Sequence, residues 1–247
     1  MFYFLYLPHV TRNYTISVMN FNFGFLLFFL IFLGSNGQSQ TKIGATGLWS
    51  QYIYKKPLTQ RWAIAGDFQY RTYEIGADFQ QFIARAAVSY RPTYTAIDVH
   101  LGYGFFTGQP FGAAEDNTTE HRLHQDLWFE SKLNSRFELK HRIRIEERFI
   151  KGQNFRTRYR YTLFLNVPLH RSTIAKHTLY AALWNELFIN GETDTGTGTV
   201  AYFDRNWAFA GLGYQWNASF KFQAGYMREL TPSTNKGQLV ISVFHQL

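Results

Sequence analysis

Arg156, Arg158 and Arg160 take every second position of "FRTRYRYTLFLNV", and Tyr159, Tyr161, Leu163, Leu165 and Val167 take the positions between. A guanidinium is a permanent cation with a planar fork of donors, suited to carboxylates and phosphates. A second row lies just upstream: Arg136, Glu138, Lys140, Arg142, Arg144, Glu146 and Arg148. Across residues 120–160 there are eleven Lys/Arg and six Asp/Glu, so the patch is mixed with a cationic excess. The charge cluster expected to matter is Asp126, Glu130, Arg142, Arg144, Glu146, Arg156, Arg158 and Arg160. Two uses stay open. The charges can neutralise one another as a packed plug, since opposite charges on adjacent strands offset the cost of burial. Or the excess can form a cationic constriction that selects anions, with a small anionic ligand as partner.

Acid–base or nucleophilic chemistry has thinner support. His121, His124 and Asp126 are the nearest approach to such a cluster. His124 and Asp126 have the same parity and form a weak candidate polar site, whereas His121 has the other parity and would need a bulge to join them. Ser131 supplies a hydroxyl without an elbow motif around it. His121 and His124 lack a third metal ligand. His141 and His245 fall among apolar positions and read as interfacial or bulge residues. "GETDTGTGT" offers carboxylates and glycines without calcium-loop spacing and reads as a flexible outer loop. The absence of cysteine removes thiolate nucleophiles, thiolate metal sites and disulfides. There is no phosphate loop and no recognition helix, so nucleic acid is not expected despite a net charge of +8. No catalytic residue, cofactor or metal is expected.

These side chains need elements to hold them. A helix would scatter the arginines around its circumference; a strand sends alternate residues to opposite faces. Strand-length segments recur at 43–54, 61–73, 79–91, 95–107, 119–132, 136–149, 155–168, 177–189, 202–216, 219–230 and 238–247. Turn chemistry separates them, in "KKPLTQ", "EIGAD", "GQPFGAAEDN", "KGQN" and "TPSTNKG". Each runs to about a dozen residues, beyond the usual globular strand and near the ~9–11 that cross a bilayer at a tilt. Aromatic residues make up 19% of the chain, which fits strands of a barrel or sandwich.

Two faces emerge. Ile97, Val99, Leu101, Tyr103 and Phe105 oppose Asp98, His100, Gly102 and Gly104; Phe82, Ala84, Ala86, Val88 and Tyr90 oppose Gln81, Arg85 and Ser89. A soluble barrel buries its apolar face, and a membrane barrel reverses this. Strand length favours the membrane. So does the apolar run Phe23–Leu33, too short for a comfortable helical span and of secretory h-region length, with small residues following. Residues 1–39 are read as a signal peptide with a possible upstream extension (Met19 is a candidate start), cleaved between Gly37 and Gln40. Residues 40–247 are read as the barrel domain. The last strand, with Leu239, Ile241, Val243, His245 and Leu247 alternating, resembles the terminal strand read by barrel assembly machinery. Trp49, Tyr54, Trp62, Tyr70, Tyr90, Trp216 and Tyr226 are expected to form interfacial girdles. Short joints should alternate with long outer loops.

The expected fold is therefore all-β, an antiparallel up-and-down transmembrane β-barrel. Eleven segments are counted, and the even-number rule for bacterial barrels moves the expectation to about twelve strands, with ten as the alternative. At either size the lumen is filled or very narrow.

The stretches "GLWSQYIYKKPLTQRWAIAGDFQYR", "HRLHQDLWFESKLNSRFELKHRIRIEERFI" with "RTRYRYTLFLNVPL", and "FDRNWAFAGLGYQWNASFKFQAGYM" resemble the domain-of-unknown-function family 2490 (DUF2490) of Bacteroidota-type exported proteins. The resemblance spans roughly residues 43–247. It implies an outer-membrane β-barrel and carries no activity and no catalytic residue. The functional expectation is a non-catalytic envelope or narrow-pore transport protein of the cell outer membrane with an Arg-rich lumen, bathed in outer-membrane lipid. Its alternatives are a lipid-modifying enzyme of the same membrane and a soluble exported barrel that holds a small apolar ligand.

Overall fold

The computed structural model describes residues 41–42, 46–93, 95–112, 117–132 and 136–247, and the expected signal peptide lies outside them. The strands are β1 (Thr41–Lys42), β2 (Gly47–Pro57), β3 (Trp62–Glu74), β4 (Ala77–Tyr90), β5 (Ile97–Gly108), β6 (Thr118–Lys132), β7 (Glu138–Ile150), β8 (Arg156–Pro168), β9 (Thr178–Asn190), β10 (Phe203–Gln215), β11 (Phe220–Leu230) and β12 (Thr234–Gln246). Each of the eleven expected segments is one strand, and no described residue is helical. From β2 to β12, every strand pairs antiparallel with its sequence neighbour. The sheet closes where β12 meets β2, with Gln238–Gln246 beside Gly47–Lys55.

That closure corrects two expectations. The barrel has eleven staves instead of twelve or ten, and its seam is parallel, so the sheet is mixed and not wholly antiparallel. The reason is topological. A chain that reverses at every joint returns an odd last stave pointing the same way as the first. The two-residue β1 adds no stave, because it pairs parallel with β12 on the side that β2 occupies.

The faces divide sharply. Leu101 is 63% exposed on the outside of β5, while Arg158 is 4% exposed on the inside of β8. Val88, Ile143, Tyr159, Leu212 and Ile241 are likewise exposed, and Arg122, Asp126, Arg144, Glu146 and Arg160 are buried. A barrel with its apolar face inside is thereby contradicted for this chain.

The strands end alternately at two rims, here called the Pro57 rim and the Asn190 rim. Trp62 packs at a tilt against Tyr90, centroids 4.5 Å apart, near the Pro57 rim, where Trp216 is also exposed. Tyr70 and Tyr226 are exposed nearer the Asn190 rim. Trp62 and Tyr70 are eight residues apart on β3, roughly 26 Å along the strand before tilt. Trp49 departs from the expected girdle: it points inward and is 4% exposed. Loop lengths also sort less cleanly than expected. The connections 109–117 and 191–202 lie at the Asn190 rim, but so do the tight joints 75–76 and 231–233, and 169–177, as long as 109–117, lies at the Pro57 rim. The 191–202 connection is packed, with Thr195 buried and Glu192 accepting from the Thr157 N–H and hydroxyl.

Inside, the lumen has two halves. Trp49, Tyr180, Phe188, Trp207, Phe209, Met227 and Val240 pack into one apolar cluster along β9–β12 and β2. Facing it, β6–β8 carry the charge rows. Glycines make room for the largest inward rings. A Cβ on Gly213 would lie 2.1 Å from the Tyr180 ring, and one on Gly102 would lie 2.4 Å from the His124 ring.

Candidate functional site

The lumen is where the charged side chains converge. Their parity comes from strand geometry, and register then decides the partners. Glu146 sits opposite Arg158, and Asp126 opposite Arg144. Arg144 lays Nε and Nη2 on the two Asp126 oxygens at 2.5 and 2.7 Å. Arg158 meets Glu146 at 2.6 Å and reaches Asp204 at 2.8 Å. Arg160 bridges Glu146 at 2.6 Å and Glu186 at 2.8 Å, and Arg142 reaches Glu186 at 2.6 Å. Arg144 and Arg160 face each other across the β7–β8 ladder as like charges. Each tolerates the other because carboxylates flank both, the condition under which buried ions persist.

Of the eight residues named from sequence, six therefore join one buried network: Asp126, Arg142, Arg144, Glu146, Arg158 and Arg160. Arg156 stands apart, donating to Gln153 at 2.7 Å, and Glu130 pairs with Lys140 at the exposed Pro57 rim at 2.9 Å. Sequence reasoning did not single out Glu186, Glu120, Arg122 or Asp204, which complete the network. Arg122 and Arg148 share Glu120, each with Nε at 2.6–2.7 Å. Glu186 was hidden because β9 is apolar on both faces. Only its placement on the same parity as Tyr180, Ala182, Trp184 and Phe188 marks it as internal.

A cavity of about 610 Å³ runs through the lumen from the Pro57 rim. Lys55, Arg91, Glu130 and Lys140 stand at its mouth, all with well-exposed side chains. Arg91, just outside β4, forks onto Asp98 at 2.5 and 2.7 Å, and that hydrogen bonding raises its pKa above the usual guanidinium value. At depth the cavity reaches Arg71, which lies over Trp49 and Trp207 at 3.6 and 4.6 Å from the ring centroids. Trp49 is on β2, Trp207 on β10 and Arg71 on β3, so this contact bridges nearby staves across the seam and projects into the lumen from the aromatic side. Beyond it, toward the Asn190 rim, Arg156, Asn190, Glu229, Lys236 and Gln238 are all buried. Lys236 and Gln238 both donate to Gln80, a β4 side chain, at 2.6 and 2.8 Å. The lumen is thus a cup, filled at one rim.

The weak polar site does not assemble as a reactive pair. His124 and Asp126 share the inner face, but Asp126 is taken by Arg144 and by Trp128 Nε1 at 3.4 Å, and His124 makes no hydrogen bond to it. His121 is on the outer face against Tyr103. Among the described residues no three His, Cys, Asp or Glu are grouped to hold a metal ion.

The outer face holds a different pattern. Tyr52 meets His245, Tyr103 meets His121, Tyr214 meets His177, and Tyr161 meets His141, each between a phenol oxygen and a ring Nδ1 at 2.5–3.0 Å. Every one of these histidines finds a tyrosine on the adjoining strand or rim. Among the described residues His141 alone of these four has a further ring partner, Ser131 Oγ at 2.7 Å from Nε2, giving a Ser–His–Tyr chain on the outer face in which His141 itself is buried, stacked on Phe129 at 4.5 Å.

A family model described as "Protein of unknown function (DUF2490)" matches residues 46–240. The chain belongs to that family. No curated protein and no solved structure matches it. For this DUF2490 chain, the matched span covers nearly the whole barrel from β2 into β12, charge rows and cavity floor included.

Proposed function

We propose that this DUF2490 chain is a non-catalytic β-barrel of the cell outer membrane, exported by its N-terminal apolar run and inserted through its terminal strand. The observation that carries the reading is the reversed polarity of the barrel: an outer surface of exposed Leu, Ile, Val, Phe and Tyr around a buried ionic interior. Such a surface is costly in water and suited to hydrocarbon. The outer Tyr–His pairs support it, since polar ring atoms facing lipid must find partners in the protein. An open conduit is not the form the lumen favours, because the Arg71–Trp207 stack and the filled Asn190 rim obstruct it. The test is membrane fractionation with gel mobility before and after boiling. A heat-shifted band from the outer membrane, with its N-terminus between Gly37 and Gln40, is expected. A water-soluble protein without a shift overturns the reading.

The Ser131–His141–Tyr161 chain favours one second reading, a lipid hydrolase working at the barrel's outer surface. Ser131 and His141 have the spacing of a nucleophile and base. They lie within β6 and β7, whose backbone N–H groups serve the ladder and leave no evident oxyanion donors. Purified protein with phospholipid vesicles decides: release of fatty acid that disappears in Ser131→Ala supports the enzyme, and no release leaves the non-catalytic barrel.

A further inference from the structure

The geometry points to a second use of the lumen: Arg71 is the anchor of a binding site for a small organic anion, an aromatic carboxylate or similar oxyanion of cavity size. The inference does not depend on the membrane reading, because the cavity is internal to the barrel.

Arg85, Arg91, Arg122, Arg144, Arg148 and Arg158 each lay the Nε–Nη2 edge on a carboxylate. This edge is the bidentate fork of the guanidinium. In Arg71 the same two atoms, Nε and Nη2, are buried and have no hydrogen-bond partner. Arg142 and Arg156 leave Nε, and Arg144 leaves Nη1, buried without a partner, but Arg71 alone among the described residues leaves both atoms of its Nε–Nη2 edge so. Each of these two Arg71 atoms is closed to a molecule of water's size, so no water serves in place of a partner, and an anion entering from the cavity that Arg71 lines reaches them by displacing an adjoining side chain. A buried guanidinium left this way is costly, and a bound anion would remove the cost.

Trp49 and Trp207 pack against the guanidinium with their ring centroids 3.6 and 4.6 Å from its carbon, and the two rings meet edge to face at 5.2 Å on the same side of it. The adjacent polar groups are already committed. Gln69 accepts from Trp49 Nε1 at 3.0 Å and donates to Asp67 at 2.7 Å. Glu229, the acidic group on the far side, accepts from Trp207 Nε1 at 2.7 Å and from Arg205. Among the described residues none therefore takes the edge.

The cavity above Arg71 matches an organic anion better than a bare ion. Its volume of about 610 Å³ lies within the range of sites for drug-sized molecules. Nine Lys/Arg and six Asp/Glu line it, an excess that attracts anions through the mouth. Lys221 adds a second cation that rests on the Phe244 ring at 4.4 Å. Four of the six tryptophans line the same space, offering stacking surface and a built-in reporter.

The experiment uses the full barrel purified in a non-ionic detergent, with naphthoate and its uncharged twin naphthamide as probes. Saturable quenching of tryptophan emission by a brominated naphthoate is expected, with the amide about tenfold or more weaker, as suits loss of a charge-assisted fork. Arg71→Gln should abolish the difference, while Arg228→Gln on the outer face should keep it. Equal binding of acid and amide to the unaltered protein, or no saturable acid binding at millimolar concentration, overturns the site without any variant. Unchanged discrimination in a folded Arg71→Gln barrel overturns the role of Arg71.

Discussion

Glu146 is 1% exposed and lies within ion-pair distance of Arg122, Arg144, Arg158 and Arg160. It is the anion on which the buried network turns. Glu146→Gln leaves those guanidiniums short of countercharge and should cost about 3–5 kcal/mol, read as a lower unfolding midpoint. Glu130→Gln breaks only an exposed pair with Lys140 and should cost under about 1 kcal/mol in the same titration. A comparable loss from both would show that the network does not hold the barrel together. Outside, Leu101→Arg places a cation on the most exposed of the apolar strand positions. In lipid vesicles it should cost about 2–4 kcal/mol, whereas an aqueous surface would tolerate it; a neutral result in vesicles contradicts lipid contact at β5. At this scale the arginine rows were legible because two-residue spacing survives any register. Arg71 was not, because one cation in "FQYRTYE" gives no pattern, and its missing partner is a fact of three dimensions.

At the scale of elements, the seam is the decisive feature. Gln51 and Ser242 are register partners across β2 and β12, and both point inward. Strand neighbours lie about 4.8 Å apart, within reach of a disulfide. The chain has no cysteine, so Gln51→Cys with Ser242→Cys gives a clean pair. Oxidation should join the first and last staves and keep the boiled, unreduced protein more compact on a gel than its reduced form. Failure to cross-link in the folded barrel contradicts the parallel closure. The strands themselves were readable from alternation and turn chemistry, as in Ile97–Phe105 against Asp98–Gly104. Their number was distorted by a parity rule that holds for barrels closed antiparallel. β9 shows the opposite limit: Leu179, Leu183 and Leu187 outside and Tyr180, Trp184 and Phe188 inside leave no alternation to read.

For the whole molecule, the six tryptophans divide by position. Trp62 and Trp216 are exposed on the outer surface, and Trp49, Trp128, Trp184 and Trp207 line the cavity. In vesicles of brominated lipid, Trp62→Phe with Trp216→Phe should remove nearly all lipid-dependent quenching. Quenching that persists would mean that lipid reaches the lumen side. The same closed cup predicts that the reconstituted protein shows no steady ohmic conductance in a planar bilayer; large open steps would contradict the obstruction at Arg71 and Trp207.

The sequence by itself determined the all-β architecture, the eleven segments and the two faces of most strands. Each of these depends only on period and local turn chemistry, which a single chain carries along its length. It also carried the cationic excess of residues 120–160, though not its partners. Tertiary structure decided the rest: the parallel seam, the aromatic half of the lumen that draws Trp49 inward, the recruitment of Glu186 and Asp204, and the cup closed at one rim. These depend on which strands meet across the barrel, and closure brings together residues such as Arg71 and Trp207 that no local pattern connects.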